Sequence, residues 1–315
     1  MALVIAEIGF SHGGDIDLAI RMIEAASGAG ADAVKFQSFF ADDLYFPDHE
    51  LYPIFKAGEI SVAAHAALKN AADANGIGFL STPFSPYWVD VLDKLSPMGF
   101  KIASMDINNP VLLKAVAAKG REVFISTGAS DIEEAARAVR ILRDGGASEV
   151  CVMHCVSNYP TDPQDVALYM IPKLRAELGT PVGFSDHTLG VNAAVAAAAL
   201  GAEAIEKHFT LDKNLPGPDH KISADPEEMA RLVKAVKDLE LEMDAFSADH
   251  HAARADAGKK KGMRRGIYAG RNIAAGETVT LDCLKLVRPQ ITPLERLDEF
   301  LGKPAPRAYK AGESL

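Results

Sequence analysis

The stretch 181–210, PVGFSDHTLGVNAAVAAAALGAEAIEKHFT, decides the fold. It holds two short apolar runs, 181–184 and 202–206, on either side of an alanine-rich segment, 191–200, with helical spacing. Each run passes directly into polar residues: Ser185, Asp186 and His187 after the first, Lys207 and His208 after the second. Strand, helix and strand in so short a span is a βαβ unit, whose two strands lie parallel.

Outward from this stretch the same unit repeats. Apolar or β-branched runs stand at 3–8, 33–36, 77–80, 99–103, 123–126 and 149–154. Helical spacing follows at 17–29, 61–75, 86–95, 110–118, 131–143 and 165–177, and after the last run at 225–246. Start and stop signals support these bounds: Asp131 with Glu134 three residues on, Pro110 in a first turn, and glycines at 30, 76, 120 and 145. Eight strand-then-helix units in about 245 residues predict an α/β fold, a (β/α)8 TIM barrel over residues 1–246. A doubly wound sheet is the competing arrangement, because periodicity does not count closure.

After residue 246 the texture changes. A polar linker over 247–262 carries His250, His251 and the lysine run Lys259, Lys260 and Lys261. Residues 263–315 then read as a small β-rich domain, with strand-like GIYAGRNIAAGETVTLDCLKLVRP and no long helix.

Composition narrows the function. Of 315 residues, 48% are hydrophobic and 24% charged, which sets aside disordered, collagen-like and coiled-coil chains. A net charge of -10 argues against a nucleic-acid partner, which needs a basic face. Three cysteines, Cys151, Cys155 and Cys283, read as reduced thiols and point to the cytoplasm, with no structural disulfide. The opening MALVIAEIGF meets Glu7 too early for a signal peptide, and the most apolar stretch, 193–200, is far below the ~18 residues a membrane span needs. No membrane partner is expected.

In a barrel the chemistry collects where strands end, and here every run ends in polar side chains. The first gives Glu7, Ser11 and His12; the second Lys35 and Gln37; the third Ser81 and Thr82; the fourth Lys101 and Ser104. The fifth gives Ser126 and Gly128, the sixth His154, Ser157 and Tyr159, the seventh Ser185 and His187, the eighth Glu206 and His208. One Ser or Thr at a strand end is ordinary loop composition. Lysines inside strands are not, because a buried ammonium needs a partner or a ligand. Two lysines, a ring of hydroxyls and Gly128 for close backbone approach suit a phosphate or carboxylate. His187 and His208, twenty-one residues apart on consecutive strands, read either as ligands of one divalent cation or as hydrogen-bonded acid/base groups. Glu206 stands beside them to orient a water. His49, His65, His250 and His251 read as solvated, Cys155 as a small buried thiol and the lysine run as a solvated linker, while His12 and His154 stay open.

Nine stretches in order carry a resemblance: AEIGFSHGGD, GADAVKFQSF, FLSTPF, FKIAS, ISTGAS, HCVSNYPT, GFSDHTLG, AIEKHFTLDKNLPGPDHKIS and IAAGETVTLDCLKLVRP. Together they resemble the sialic acid synthase family, which includes N-acetylneuraminate, legionaminate, pseudaminate and spore-coat sugar synthases. The resemblance implies a barrel followed by an antifreeze-like (SAF, β-clip) domain, in a homodimer whose C-terminal domain lies over the partner's barrel. It implies condensation of phosphoenolpyruvate with an open-chain N-acylated mannosamine-type sugar, with release of phosphate.

By the same resemblance His187 and His208 hold Mn2+, or Mg2+ or Co2+, and Glu7 and Glu206 are the acidic groups at the reacting centre. Lys35, Lys101, Ser104, Ser126, Ser157 and Ser185 bind phosphoenolpyruvate, and Tyr159, Asp219 and Arg288 bind the sugar. Ser11 stands where the family usually has Asn, Gly266 replaces a usual Ser, and Ser157 is Asn in some members. The final GKPAPRAYKAGESL is shorter than the resemblance leads one to expect. Two other functions fit the same residues: a phosphoenolpyruvate-dependent synthase acting on a phosphorylated aldose, and a non-catalytic sugar-binding barrel.

Overall fold

A computed structural model of the chain describes residues 2–244 and 257–315. Residues 245–256, with His250, His251 and most of the expected linker, lie outside the described residues. The chain divides into two compact units, Met1–Leu241 and Glu242–Leu315.

In the first unit eight strands follow one another around a closed, wholly parallel barrel: β1 (Leu3–Gly9), β2 (Ala33–Ser38), β3 (Gly78–Pro83), β4 (Gly99–Ile102), β5 (Glu122–Ser126), β6 (Glu149–Cys155), β7 (Val182–Asp186) and β8 (Ala204–His208). Pairing of β1 with β8, from Leu3 opposite Ala204 to Glu7 opposite His208, closes the sheet and rules out the doubly wound alternative.

The helices are α1 (Ile16–Gly28), α2 (Ala41–Leu44), α3 (Tyr52–Gly58), α4 (Val62–Ala74), α5 (Pro86–Lys94), α6 (Pro110–Ala117), α7 (Ile132–Asp144), α8 (Met170–Leu178), α9 (Asn192–Ala199) and α10 (Pro226–Asp244). Side chains start several of them. Asp15, Ser61 and Asn109 each accept a first-turn N–H, and Asp131 with Glu134 forms a reciprocal capping box at α7. Two features depart from the sequence reading. α8 starts at Met170 rather than Asp165, because residues 163–165 make only a 3-10 turn and Ala167 takes a left-handed φ of 50°. The helices α2 and α3, of four and seven residues, are too short to show a 3.6-residue period.

The barrel has two apolar layers. Outside, strand residues such as Val4, Val34 and Ile125 pack against helix residues such as Met22, Leu68 and Leu142. Inside, Ile5, Ala33, Leu80, Phe124, Cys151 and Ala204 plug the lower half. Successive strand residues alternate between the two faces. This plug fixes what stands above it.

In the second unit the lysine run lies on a helix, α11 (Ala257–Met263), where a linker was expected. β9 (Gly266–Ala269) pairs antiparallel with β10 (Leu284–Val287), over a small core that includes Ile273, Val279, Cys283 and Tyr309. Gly266 is tightly enclosed: a Cβ there would sit 3.0 Å from Ile291 N and from Pro289 O, so a serine would need the neighbouring backbone to move. The closing stretch is woven in, with Ser314 bridging Tyr268 and Leu315 N donating to Ile267 O.

Candidate active site

Two residues beyond the apolar plug, the inward positions turn polar. Ile5 is followed by Glu7, Ala33 by Lys35, Leu80 by Thr82, Phe124 by Ser126 and Ala204 by Glu206. Two further on stand Gln37, Phe84, Cys155, His187 and His208. All of these line a cavity of about 430 Å3 at the C-terminal ends of the strands. Strand periodicity alone thus stacks an apolar floor, a charged layer and an imidazole layer.

The charged layer is buried. Lys35 Nζ lies 2.9 Å from Glu7 Oε2 and 3.8 Å from Glu206 Oε2, and it donates to Thr82 Oγ1 at 3.1 Å. Lys101 Nζ donates to Ser126 Oγ at 2.6 Å and stands 3.6 Å from Glu206 Oε2. Ser185 Oγ donates to Glu206 Oε1 at 2.9 Å. Glu206 is therefore held between two ammonium groups, and these outweigh its burial to hold its carboxyl down at about 2. Glu7 differs. Burial dominates there, opposed by Lys35 and assisted by Glu206, and its carboxyl is pushed up to about 7. One carboxylate and one carboxylic acid thus share Lys35 near neutral pH.

Beside this layer, Gly128 makes room for three neighbouring side chains. Its N–H donates to Ser104 Oγ at 3.0 Å, and a Cβ would run into the Ser157 and Ser104 hydroxyls and the Cys155 thiol. The Ser104 and Ser157 hydroxyls, which line the cavity, are donors suited to phosphate oxygens.

The two histidines face each other with ring centroids 5.3 Å apart. His187 Nδ1 donates to the Val156 carbonyl at 2.8 Å, which leaves Nε2 free as an acceptor. His208 Nδ1 is buried without a hydrogen-bond partner, with Asp219 Oδ2 at 3.8 Å. Burial, then His187, holds the His208 ring well below its usual pKa and thus neutral. Among the described residues no three His, Cys, Asp or Glu side chains form a metal cage. The orphaned nitrogen of the neutral His208 ring and Nε2 of His187 nonetheless fit a divalent ion that takes its remaining ligands from water and substrate.

Tyr159 covers His187, with ring centroids 4.1 Å apart, and is exposed at the mouth. Glu7, Lys35, Lys101, Ser104, Ser126, Ser157, Tyr159, Ser185, His187, Glu206, His208 and Asp219 all line the one cavity. Arg288 belongs to the second unit, just past β10, and is exposed.

One expectation fails plainly. His65 is not solvated: it is fully buried, with its ring against Trp88 and Nε2 2.7 Å from Ser38 Oγ, which in turn meets Ser81 Oγ at 2.6 Å. His154 is also buried, bonded to the Val166 carbonyl, and His12 packs near Phe36; neither lines the cavity. Cys155 is a buried thiol as expected, yet it lines the cavity 3.9 Å from His187 Nδ1. The cavity also has an apolar wall, in which Tyr45 and Phe84 are positions where sequence already places sugar discrimination, while Phe10, Leu44, Ile54 and Phe55, largely from α2 and α3, are the part that sequence reasoning missed. Its only sequence signal is the aromatic density of 39–55.

A family model described as the NeuB family matches residues 22–247, and one described as the SAF domain matches residues 264–315. An N,N'-diacetyllegionaminic acid synthase of Legionella pneumophila is 36% identical, with 99% of this chain and 92% of that protein covered. An N-acetylneuraminate-9-phosphate synthase of Homo sapiens is 33% identical, covering 95% of this chain and 87% of that protein. The crystal structure of an N-acetylneuraminic acid synthetase from Leptospira borgpetersenii, in complex with citrate, superposes with a TM-score of 0.78 at 34% identity, over 82% of this chain and 91% of that one.

Proposed function

The chain belongs to the NeuB family, and from that premise we propose that it is a nonulosonic acid synthase. In this reading it condenses phosphoenolpyruvate with the open-chain aldehyde of an N-acylated mannosamine-type sugar and releases phosphate. The observation that carries the reading is the buried layer of Glu7, Lys35, Lys101 and Glu206 directly beneath the facing His187 and His208.

Lys35, Lys101 and Ser126 bind the carboxylate and phosphate of phosphoenolpyruvate, with Ser104 and Ser157 taking phosphate oxygens. Ser185 fixes Glu206 through its hydrogen bond. Carbon 3 of the enol forms the new bond to the aldehyde carbon, and the aldehyde oxygen takes a proton. Glu7 is the group that holds a proton near neutral pH, so Glu7 supplies it. Attack leaves carbon 2 electron-poor; water adds there as the Glu7 carboxylate takes a proton from it, and collapse of the tetrahedral intermediate to the ketone breaks the carbon–oxygen bond to phosphate, which leaves with the hydroxyl proton. The two lysines neutralise the charge gathering on that leaving group. His187 and His208 would hold a divalent ion, Mn2+ or a similar cation, which when bound polarises the aldehyde oxygen.

Tyr159 and Asp219, at the mouth, contact the sugar. The partner's Arg288 completes the sugar site in a homodimer, as the family resemblance implies. The three cysteines are free buried thiols, and no described helix is long and apolar enough to cross a membrane. Both features accord with an enzyme of the cytoplasm.

The test is phosphate release from phosphoenolpyruvate and a panel of N-acylated mannose- and altrose-type sugars, with Mn2+ present and product masses recorded. Release that needs both substrates supports the reading; none with any sugar sinks it. Because the human relative is named for a 9-phosphate product, phosphorylated acceptors belong in the panel. Turnover of those alone would favour the phosphorylated-aldose reading.

A further inference from the structure

We propose that the buried Asp186–Lys207 ion pair is a positioning device that sets His187 against His208. The proposal rests on the reading of these imidazoles as the holders of a divalent ion. Asp186 and Lys207 alternate with the cavity residues: Ser185, His187, Glu206 and His208 line the cavity, whereas Asp186 and Lys207 do not. They point the other way, into the layer between strands and helices, where Lys207 Nζ meets Asp186 Oδ2 at 2.9 Å with both side chains almost fully buried.

The backbone ladder shows why such a pair has work to do. Pairing of β7 with β8 ends at Asp186 opposite Lys207, and pairing of β6 with β7 ends at Cys155 opposite Ser185. His187 is the first residue beyond both ladders. His208 still has β1 beside it, paired at Glu7. The side chains continue what the ladder stops. Asp186 Oδ1 accepts Thr188 N–H at 2.8 Å, while Lys207 Nζ donates to the Thr188 carbonyl. Both bonds close on Thr188, the residue just after His187, one from Asp186 just before that histidine and the other from Lys207 just before His208. One ion pair therefore ties the backbone that carries His187, which otherwise bonds Thr161 N–H through its carbonyl and Val156 through its ring, to the strand that carries His208.

Stability alone does not call for this arrangement. A buried ion pair replaced by well-packed apolar residues of similar volume is often neutral or stabilising. What an apolar pair lacks is direction, and direction is what an imidazole at a metal requires; losing an outer partner of a ligand typically costs 10- to 100-fold in metal affinity.

The test compares wild-type protein with the double variant Asp186→Leu/Lys207→Met. Metal-free samples are titrated with Mn2+ and free ion is read by electron paramagnetic resonance, alongside urea unfolding and a crystal structure. The expected result is unfolding like wild type, Mn2+ bound at least about 10-fold more weakly, and altered spacing of the two rings. Wild-type affinity in a folded double variant would reduce the pair to scaffolding and overturn the proposal. If wild-type protein itself binds no Mn2+, the metal reading falls, and the positioning role is judged on ring spacing alone: spacing unchanged from 5.3 Å overturns it and a changed spacing supports it. Should the double variant not fold, Lys207→Arg decides by the same titration. That variant keeps the charge but alters its reach; weaker binding supports the role and unchanged binding overturns it.

Discussion

Single residues in this barrel carry assignments that only burial reveals. Glu7 and Glu206 are the same residue type on neighbouring strands, and sequence gives no reason to rank them as acid or base. Their surroundings do, since Glu206 lies between two lysines and Glu7 meets one. Glu7, raised to about 7, loses its proton as pH climbs through neutrality, so turnover should fall above pH 7. Glu7→Gln should lower kcat by about 100-fold and leave a profile without that limb, as a pH-rate series would show. His65 was misread because its helix has a weak apolar pattern, and nothing in the sequence reports that Ser38 and Trp88 await it. Its pKa falls from 6.5 to about 4, chiefly through burial. Between those values the unfolded chain binds a proton that the folded chain refuses, so stability rises with pH from 4 to 6.5. The contribution is about 3 kcal/mol at neutral pH. In urea unfolding, His65→Leu should flatten the loss of stability on acidification only in part, because His12, His154, His208 and His220 are also lowered by burial and supply part of what remains.

At the scale of elements, the barrel was legible because the eight strands and the longer helices show their periods and several of those helices are closed by a glycine or a cap. The polar layers were legible too, since inward positions recur every two residues. The apolar wall from α2 and α3 was not, because fewer than two turns carry no periodic signal. Nor was the Asp186–Lys207 pair, whose residues differ from their cavity-lining neighbours only by pointing outward. Some strand positions are constrained more tightly than their composition suggests. A Cβ on Gly183 in β7 would sit 2.6 Å from Ala204 O and collide with Met153 Sδ. Gly183→Ala should push β7 from its neighbours and cost about 1–3 kcal/mol. Because Ser185 and His187 lie just beyond, turnover should fall more than stability does; calorimetry beside phosphate-release kinetics checks both.

For the whole molecule, the two units have separate apolar cores, one from Val4 to Val236 and the other from Ala269 to Tyr309. A chain cut after residue 244 should therefore fold alone. In the proposed function it keeps phosphoenolpyruvate binding, seen by calorimetric titration, while its KM for the sugar rises at least about 10-fold for want of Arg288. Barrel closure also has a consequence in time. Glu206 lies between Lys35 and Lys101 and is the carboxylate paired with Lys101, yet it stands 171 positions after Lys35 in the chain. At synthesis rates of 5–20 residues per second, roughly 10–30 s separate their appearance at the ribosome. Throughout that interval neither lysine has Glu206, and β1 has no β8 to close against. The charged layer is thus among the last parts to be completed, and a nascent or prematurely terminated chain lacking β8 would carry cations it cannot bury.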